Sequence, residues 1–309
     1  MASAPYEGEV DFDAPGAGKP CKTWYKIYGD PKSHPGPTLV ALHGGPGAGH
    51  EYLSPFIDIY EKYNIPVVFY DQVGCGRSTH FREKYGDTTF WTFDLFIKEL
   101  DNLVDRLKLR EKGFFLIGQS WGGMLGGAYA SLRPRGLKKL VLAGAPASIP
   151  LMMKGSRELL AALPEPARTT LEECDKRGDH ESEEFENAAK EFYGRHVCRL
   201  DPYPADVLCA FKNLKDDPSV YHTMQGPSEF VIVGSFKDWE GWQDAHKIEA
   251  ETLLLNGRYD EATDQCIKPW FDHIPKVKWV TLENSSHMSH FEERDRFIQL
   301  TGEFLSGYV

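Results

Sequence analysis

The stretch Gly118-Gln119-Ser120-Trp121-Gly122-Gly123 carries the residue types and spacing most able to do chemistry. An apolar run, Phe114-Phe115-Leu116-Ile117, precedes it, and Met124, Leu125, Ala128, Tyr129 and Leu132 follow at helical spacing. A strand entering a helix through Gly-x-Ser-x-Gly predicts a nucleophile elbow, in which the serine takes strained backbone angles and small neighbours let strand and helix pass closely. A serine hydroxyl is a weak nucleophile and needs an adjacent base oriented by a third group. Asp260, 140 residues beyond Ser120, and His287, 27 residues further, complete the order Ser…Asp…His expected after such an elbow. The chemistry would be acyl transfer: His287 takes the Ser120 proton and later gives it to the leaving group, while Asp260 holds the imidazole tautomer and stabilises its cation. His290, three residues after His287, and Asp264 are the competing base and acid. Asp260 is preferred because it directly follows its strand. An oxyanion hole would draw one backbone N–H from Trp121 and a second from Gly45, within His43-Gly44-Gly45-Pro46-Gly47. His43 reads as a loop-structuring residue.

These residues need a scaffold that brings distant loops to one edge. Gly8–Phe12 and Thr23–Tyr28 read as an antiparallel hairpin. Thr38-Leu39-Val40-Ala41-Leu42 and Pro66-Val67-Val68-Phe69-Tyr70 are continuous apolar runs typical of strands covered on both faces. Helical stripes lie between them and after them: Leu53, Phe56, Ile57 and Tyr60, then Phe93, Phe96, Ile97, Leu100, Leu103, Val104 and Leu107. Leu137–Ala143 is a further strand. The alternation predicts an α/β fold with a mostly parallel sheet and helices on both faces. Sites in such sheets lie at the carboxyl ends of strands, and loops 43–47, 71–78 and 118–123 all fall there. Residues 148–246 break the rhythm with charged helical stretches, such as Arg157–Leu163 and Glu181–Arg195, and prolines, and only Phe230-Val231-Ile232-Val233 reads as a strand. The expected organisation is a core of residues 1–147 and 247–309 with a mainly helical cap over 148–246. Tyr221, Phe230, Trp239 and Trp242, near the return from cap to core, read as packing. Glu251–Asn256 and Lys278–Leu282 resume the sheet, and a helix carrying Phe297, Ile298, Thr301, Phe304 and Leu305 closes it.

Composition narrows the functional classes. The 309 residues are 41% hydrophobic, enough for a sizeable core and too many for a disordered chain. A net charge of −11 argues against nucleic acid as a partner. No apolar run reaches the roughly 18 residues of a membrane span, and the start lacks the basic-then-apolar pattern of a secretory signal. Six cysteines are scattered with no Cys-x-x-Cys pair, which disfavours a zinc or dithiol site and fits free thiols in a reducing, cytoplasmic setting. No metal, nucleotide or redox cofactor is implied, and oligomeric state is not written in the sequence.

Taken together, His43-Gly44-Gly45-Pro46-Gly47, Asp71-Gln72-x-Gly74-x-Gly76-Arg77-Ser78 and Gly118-x-Ser120-Trp121-Gly122 resemble the proline iminopeptidase family of α/β-hydrolases, over about residues 38 to 290. Val73 departs from the arginine that many bacterial members carry there. The resemblance implies an α/β-hydrolase core with an inserted helical cap. It also implies a serine hydrolase releasing an N-terminal L-amino acid, proline or another small or apolar residue, from short peptides or amino-acid amides. The alternative on the same scaffold is an esterase, lactonase or biosynthetic tailoring hydrolase. The resemblance further points to Glu229, within Gly226-Pro227-Ser228-Glu229-Phe230, and to Glu261 as the groups that bind the substrate amino terminus. An α-amino group with a pKa of ~7.7–8.0 is mostly cationic at neutral pH. A carboxylate ~4 Å away attracts it by ~4 kcal/mol at an effective dielectric of 20.

Overall fold

The computed structural model describes residues 4–307. Eight strands form one sheet: β1 (Tyr6–Phe12), β2 (Cys21–Tyr28), β3 (Thr38–Leu42), β4 (Val67–Tyr70), β5 (Phe114–Gln119), β6 (Leu137–Ala143), β7 (Glu251–Gly257) and β8 (Val277–Leu282). Their spatial order is β1-β2-β4-β3-β5-β6-β7-β8. The hairpin β1–β2 joins β4 antiparallel, and every pairing from β4 onward is parallel. The order reverses between β3 and β4, so β3 lies between β4 and β5 and ends beside the elbow.

The two-residue period of the strands divides the core into two layers. Val40, Leu42, Phe114, Leu116 and Leu254 face one layer, while Leu39, Ala41, Phe115, Ile117, Leu253 and Leu255 face the other. Helices Phe93–Arg106, Trp121–Ser131 and Asp264–His273 cover the first layer, and Ile57–Tyr63 and Arg294–Ser306 cover the second. The helix Phe93–Arg106 begins where the Thr92 hydroxyl accepts the Leu95 N–H, an N-cap that satisfies one first-turn donor.

Between β6 and β7 the chain forms helices Ile149–Ala161, Ala167–Arg177, Glu183–Phe192, Ala205–Asp216 and Ser219–Met224. Two local expectations need correction. Phe230–Val233 is not a strand. Gly226 has a φ of 133°, the Ser228 hydroxyl accepts the Val231 N–H at 3.1 Å, and the N–H groups of Val233 and Gly234 both donate to the Gln225 carbonyl. These local bonds use the donors a sheet ladder would need, and Val233 is left 63% exposed. The helical stretch over 181–195 also ends differently: the α-helix stops at Phe192 and runs into a π-helical turn, Tyr193–Val197.

Candidate active site

Ser120 stands between β5 and helix Trp121–Ser131 with φ 57° and ψ −127°, a sparsely populated backbone region for a non-glycine residue. The turn survives because the neighbouring backbones have no side chains to collide. A Cβ at Gly122 would lie 2.1 Å from the Leu42 carbonyl oxygen of β3, so any larger residue would force the sheet and the helix apart.

At the ends of β7 and β8 the loops carry Asp260 and His287. Both are buried, and His287 Nδ1 lies 2.7 Å from Asp260 Oδ1. The Asp260 Oδ1 also accepts the Ala262 N–H at 2.8 Å, which fixes the carboxylate. Gly144, just past β6, leaves room for the pair, since a Cβ there would sit 2.9 Å from His287 Nδ1 and 3.0 Å from Asp260 Oδ2. The competing residues sit elsewhere. His290 Nε2 meets the Tyr52 carbonyl oxygen at 3.0 Å, and burial holds its imidazole neutral by pushing its pKa down to about 3. Asp264 accepts from the Asn256 amide at 2.8 Å.

Ser120, His287, Glu229 and Glu261 line one cavity with Gly45, Ala48, Tyr52, Gln119, Val197, Ala210, Phe211, Leu214 and Met288. Its apolar wall comes largely from helix Ala205–Asp216. No lysine or arginine is among these lining residues. Glu261 is fully buried, and neither of its carboxylate oxygens has a hydrogen-bond partner among the described residues. Its Oε1 lies 3.6 Å from His287 Nε2. Glu229 accepts one bond, from the Tyr221 hydroxyl at 2.7 Å. Burial raises the pKa of both glutamates, and the Glu229 charge pushes Glu261 further in the same direction. For His287, burial favours the neutral ring, but the Asp260 charge and hydrogen bond, then Glu261 and Glu229, outweigh it and raise the pKa to about 9.

The opposite side of the cavity is tied together by side-chain bonds that the motifs alone did not reveal. The Gly44 N–H donates to the Tyr52 hydroxyl at 2.6 Å, and that hydroxyl donates to Gln119 Oε1 at 2.7 Å. The Gln119 amide then reaches the His287 carbonyl at 3.2 Å. A second chain centres on Gln72. Its side-chain carbonyl accepts the Trp121 indole N–H at 2.9 Å, and its amide donates to the His43 carbonyl at 2.9 Å. His43 Nε2 accepts the Gln72 N–H at 3.0 Å; burial keeps this ring neutral, with a pKa lowered to about 4. Gln72 thereby couples the loop holding Gly45 to the residue after Ser120. Asp71 beside it braces the same loops, accepting the His50 N–H and ring nitrogen and the Arg77 N–H. His50, Glu51 and Asp71 bring ligand-type atoms within 4.8 Å of one another, but the Asp71 oxygens already serve these bonds.

Of the aromatics near the cap–core return, Phe230 packs on Phe185, Phe192 and Tyr193, and Trp239 stacks on Phe93 at 4.9 Å. Trp242 lies against His273. Tyr221 differs, because its hydroxyl serves Glu229. Val73 is buried among apolar neighbours, and its backbone N–H donates to the buried Glu99 carboxylate at 3.0 Å and 3.1 Å.

Comparison with known proteins agrees with this architecture. The profile of the α/β-hydrolase-fold family matches residues 37–294. A proline iminopeptidase of Saccharolobus solfataricus is 36% identical over 91% of this chain and 88% of its own length. One from Thermoplasma volcanium is 34% identical over 86% of this chain and 88% of its own. Among solved structures, VinJ shares 42% identity with a TM-score of 0.92, covering 98% of this chain and 99% of its own. A proline iminopeptidase of Mycobacterium smegmatis shares 34% identity with a TM-score of 0.87, covering 97% and 98%. With the elbow, the sheet order and the inserted helices in place, the chain belongs to the proline iminopeptidase family of α/β-hydrolases.

Proposed function

We propose that this protein is a serine aminopeptidase or amidase that releases an N-terminal L-amino acid, proline or another small or apolar residue, from short peptides or amino-acid amides. The observation that carries this reading is Glu261: a buried carboxylate without a hydrogen-bond partner among the described residues, in the same cavity as Ser120 and His287. A buried carboxylate without hydrogen-bond donors is costly, and a substrate ammonium supplies donors with the opposite charge. Glu229, held by Tyr221, is the second acceptor. The apolar wall of Val197, Ala210, Phe211, Leu214 and Met288 suits the first side chain of an apolar substrate.

In this reading Ser120 Oγ attacks the carbonyl carbon of the first residue and His287 Nε2 takes its proton. The N–H groups of Trp121 and Gly45 hold the oxyanion. Trp121 opens its helix, where the first-turn N–H groups lack an intrahelical acceptor. The Gly44 N–H is already given to Tyr52, which leaves Gly45 as the next donor of that loop. His287 then protonates the leaving amine, and water admitted to the acyl-enzyme repeats the sequence in reverse. Residues 148–246 act as the cap that supplies Glu229 and the apolar wall, over a core of 1–147 and 247–309. All six cysteines are free thiols, which supports a cytoplasmic setting; among the described residues no helix is long and apolar enough to cross a membrane.

Paired substrates test the reading. A proline or alanine arylamide should be cleaved, and its N-acetylated counterpart should lose at least about 100-fold in kcat/KM, the scale expected when a buried charge loses its partner. Equal turnover of both would remove amino-terminus recognition, and cleavage of simple esters in preference to either would favour the esterase alternative. Ser120→Ala should lose at least about 10⁴-fold in kcat; full activity would remove the mechanism.

A further inference from the structure

The position of Glu261 has a second consequence, which rests on the amino-terminus reading above. His287 presents its two ring nitrogens to two carboxylates. Nδ1 is engaged by Asp260 at 2.7 Å, and Nε2, the nitrogen that must accept the Ser120 proton, lies 3.6 Å from Glu261 Oε1. Among the described residues nothing hydrogen-bonds the Glu261 oxygens, and the imidazole is the cation at ion-pair distance from them. The groups whose charge acts on His287 come from several elements: Asp260 and Glu261 from the loop after β7, and Glu229 from the loop over 226–233. His290 and His196 adjoin this cluster, His290 near His287 and His196 near Asp260, and burial disfavours charge on both.

We propose that the substrate's α-ammonium is part of the catalytic machinery: by pairing with Glu261 and Glu229 it frees His287 Nε2 from Glu261 and turns a resting imidazolium into the base. Burial opposes charge on the ring, but Asp260, and after it Glu261 and Glu229, favour its protonated form in the free enzyme. When the ammonium arrives, one cation enters the site and the Nε2 proton leaves to solvent, so the charge of the pocket is conserved. The bare Nε2 then accepts the Ser120 proton as the Oγ–C bond forms. It passes that proton to the leaving nitrogen as the C–N bond breaks. A blocked amino terminus therefore costs turnover as well as binding, because the base stays paired with Glu261. Glu261 thus sets specificity through kcat, while Glu229, bonded to Tyr221, acts chiefly on affinity.

The test uses the intact enzyme and L-alaninol, a cation with a free amine and no scissile bond. Its binding is measured by calorimetry at pH 7.5 in two buffers of different ionisation enthalpy. About one proton should be released per site, because a ligand that lowers a pKa releases protons. In parallel, the acid limb of kcat for a free-amino arylamide should lie at least about one pH unit below that of kcat/KM, since the first reports the complex and the second the free enzyme. In Glu261→Gln the two limbs should converge and proton release should fall. Alaninol binding without proton release, together with coincident limbs in the wild type, overturns the proposal and leaves amino-terminus recognition standing. Absence of alaninol binding, with free and N-acetylated arylamides cleaved alike, overturns the recognition itself and this proposal with it. The wild-type measurements decide the matter even if Glu261→Gln does not fold.

Discussion

The two walls of the cavity are built on opposite terms. On the oxyanion side the groups that brace the Trp121 and Gly45 backbone donors are spoken for: Gly44 to Tyr52 to Gln119 to the His287 carbonyl, and the Trp121 indole to Gln72 to His43. On the side proposed to take the amine, Glu261 has no hydrogen bond among the described residues, and the Glu229 carboxylate has one. The difference separates two tasks. Charge that develops only in the transition state is best met by donors fixed beforehand, which need no reorganisation when the reaction occurs. In the proposed reading a charge carried by the substrate itself completes a site the protein leaves unsatisfied, so the cost of the unpartnered carboxylate becomes discrimination between free and blocked amino ends.

Acid should break the rigid wall first. Burial lowers the His43 pKa to about 4, so the folded state favours the neutral ring more than the unfolded state does. That contribution is complete above the unfolded value of roughly 6.5 and is lost as pH falls from there through about 4, up to about 3 kcal/mol in all. Thermal unfolding followed between pH 7 and 4 should show the loss, and His43→Gln should flatten this part of the profile. Gln72→Leu removes the tie between Trp121 and the His43 loop and leaves buried partners unpaired, a loss of about 2 kcal/mol or roughly 30-fold in rate. If the oxyanion side acts only in the transition state, this loss falls on kcat with KM nearly unchanged, and affinity for a boronic-acid transition-state mimic falls in parallel. An equal shift in KM would mean that the two walls are not separate. The smallest effect belongs to Tyr221→Phe, which strips Glu229 of its one bond. It should cost about 1.5 kcal/mol, the lower end for a bond to a charged group, or about tenfold, mainly in KM for free-amino substrates. The N-acetylated substrates should be indifferent to it.

How far the sequence could be read follows the same division. The elbow was legible because its signals are local: an apolar strand, glycines where Leu42 passes within 2.1 Å of a would-be Cβ, and a helix in register behind them. Asp260 and His287 were legible because each follows a strand of a parallel sheet, and such a sheet delivers strand ends to one edge. The π-helical turn at Tyr193–Val197 was not legible, yet the His196 carbonyl accepts the N–H groups of both Glu261 and His287 at 3.2 Å. Phe230–Val233 misled because four apolar residues in a row fit a strand, while the Ser228 hydroxyl and the Gln225 carbonyl claimed the backbone donors first. Tyr221 read as packing because an aromatic side chain does not announce where its hydroxyl will point.

By itself, then, the sequence determined the α/β-hydrolase fold, the serine on its strained turn, and the order in which base and acid arrive, since periodicity and turn chemistry act over a few residues. Only the tertiary structure decided the balance of the pocket. Whether Glu261 is a solvated surface acid or a buried carboxylate 3.6 Å from His287 depends on what the cavity assembles around it, from Gly45 to Met288 along the chain, and on whether any donor comes with that packing. Burial and the lack of a hydrogen-bond partner among the described residues are properties of the assembled cavity, and they are what the proposed amino-terminus role rests on.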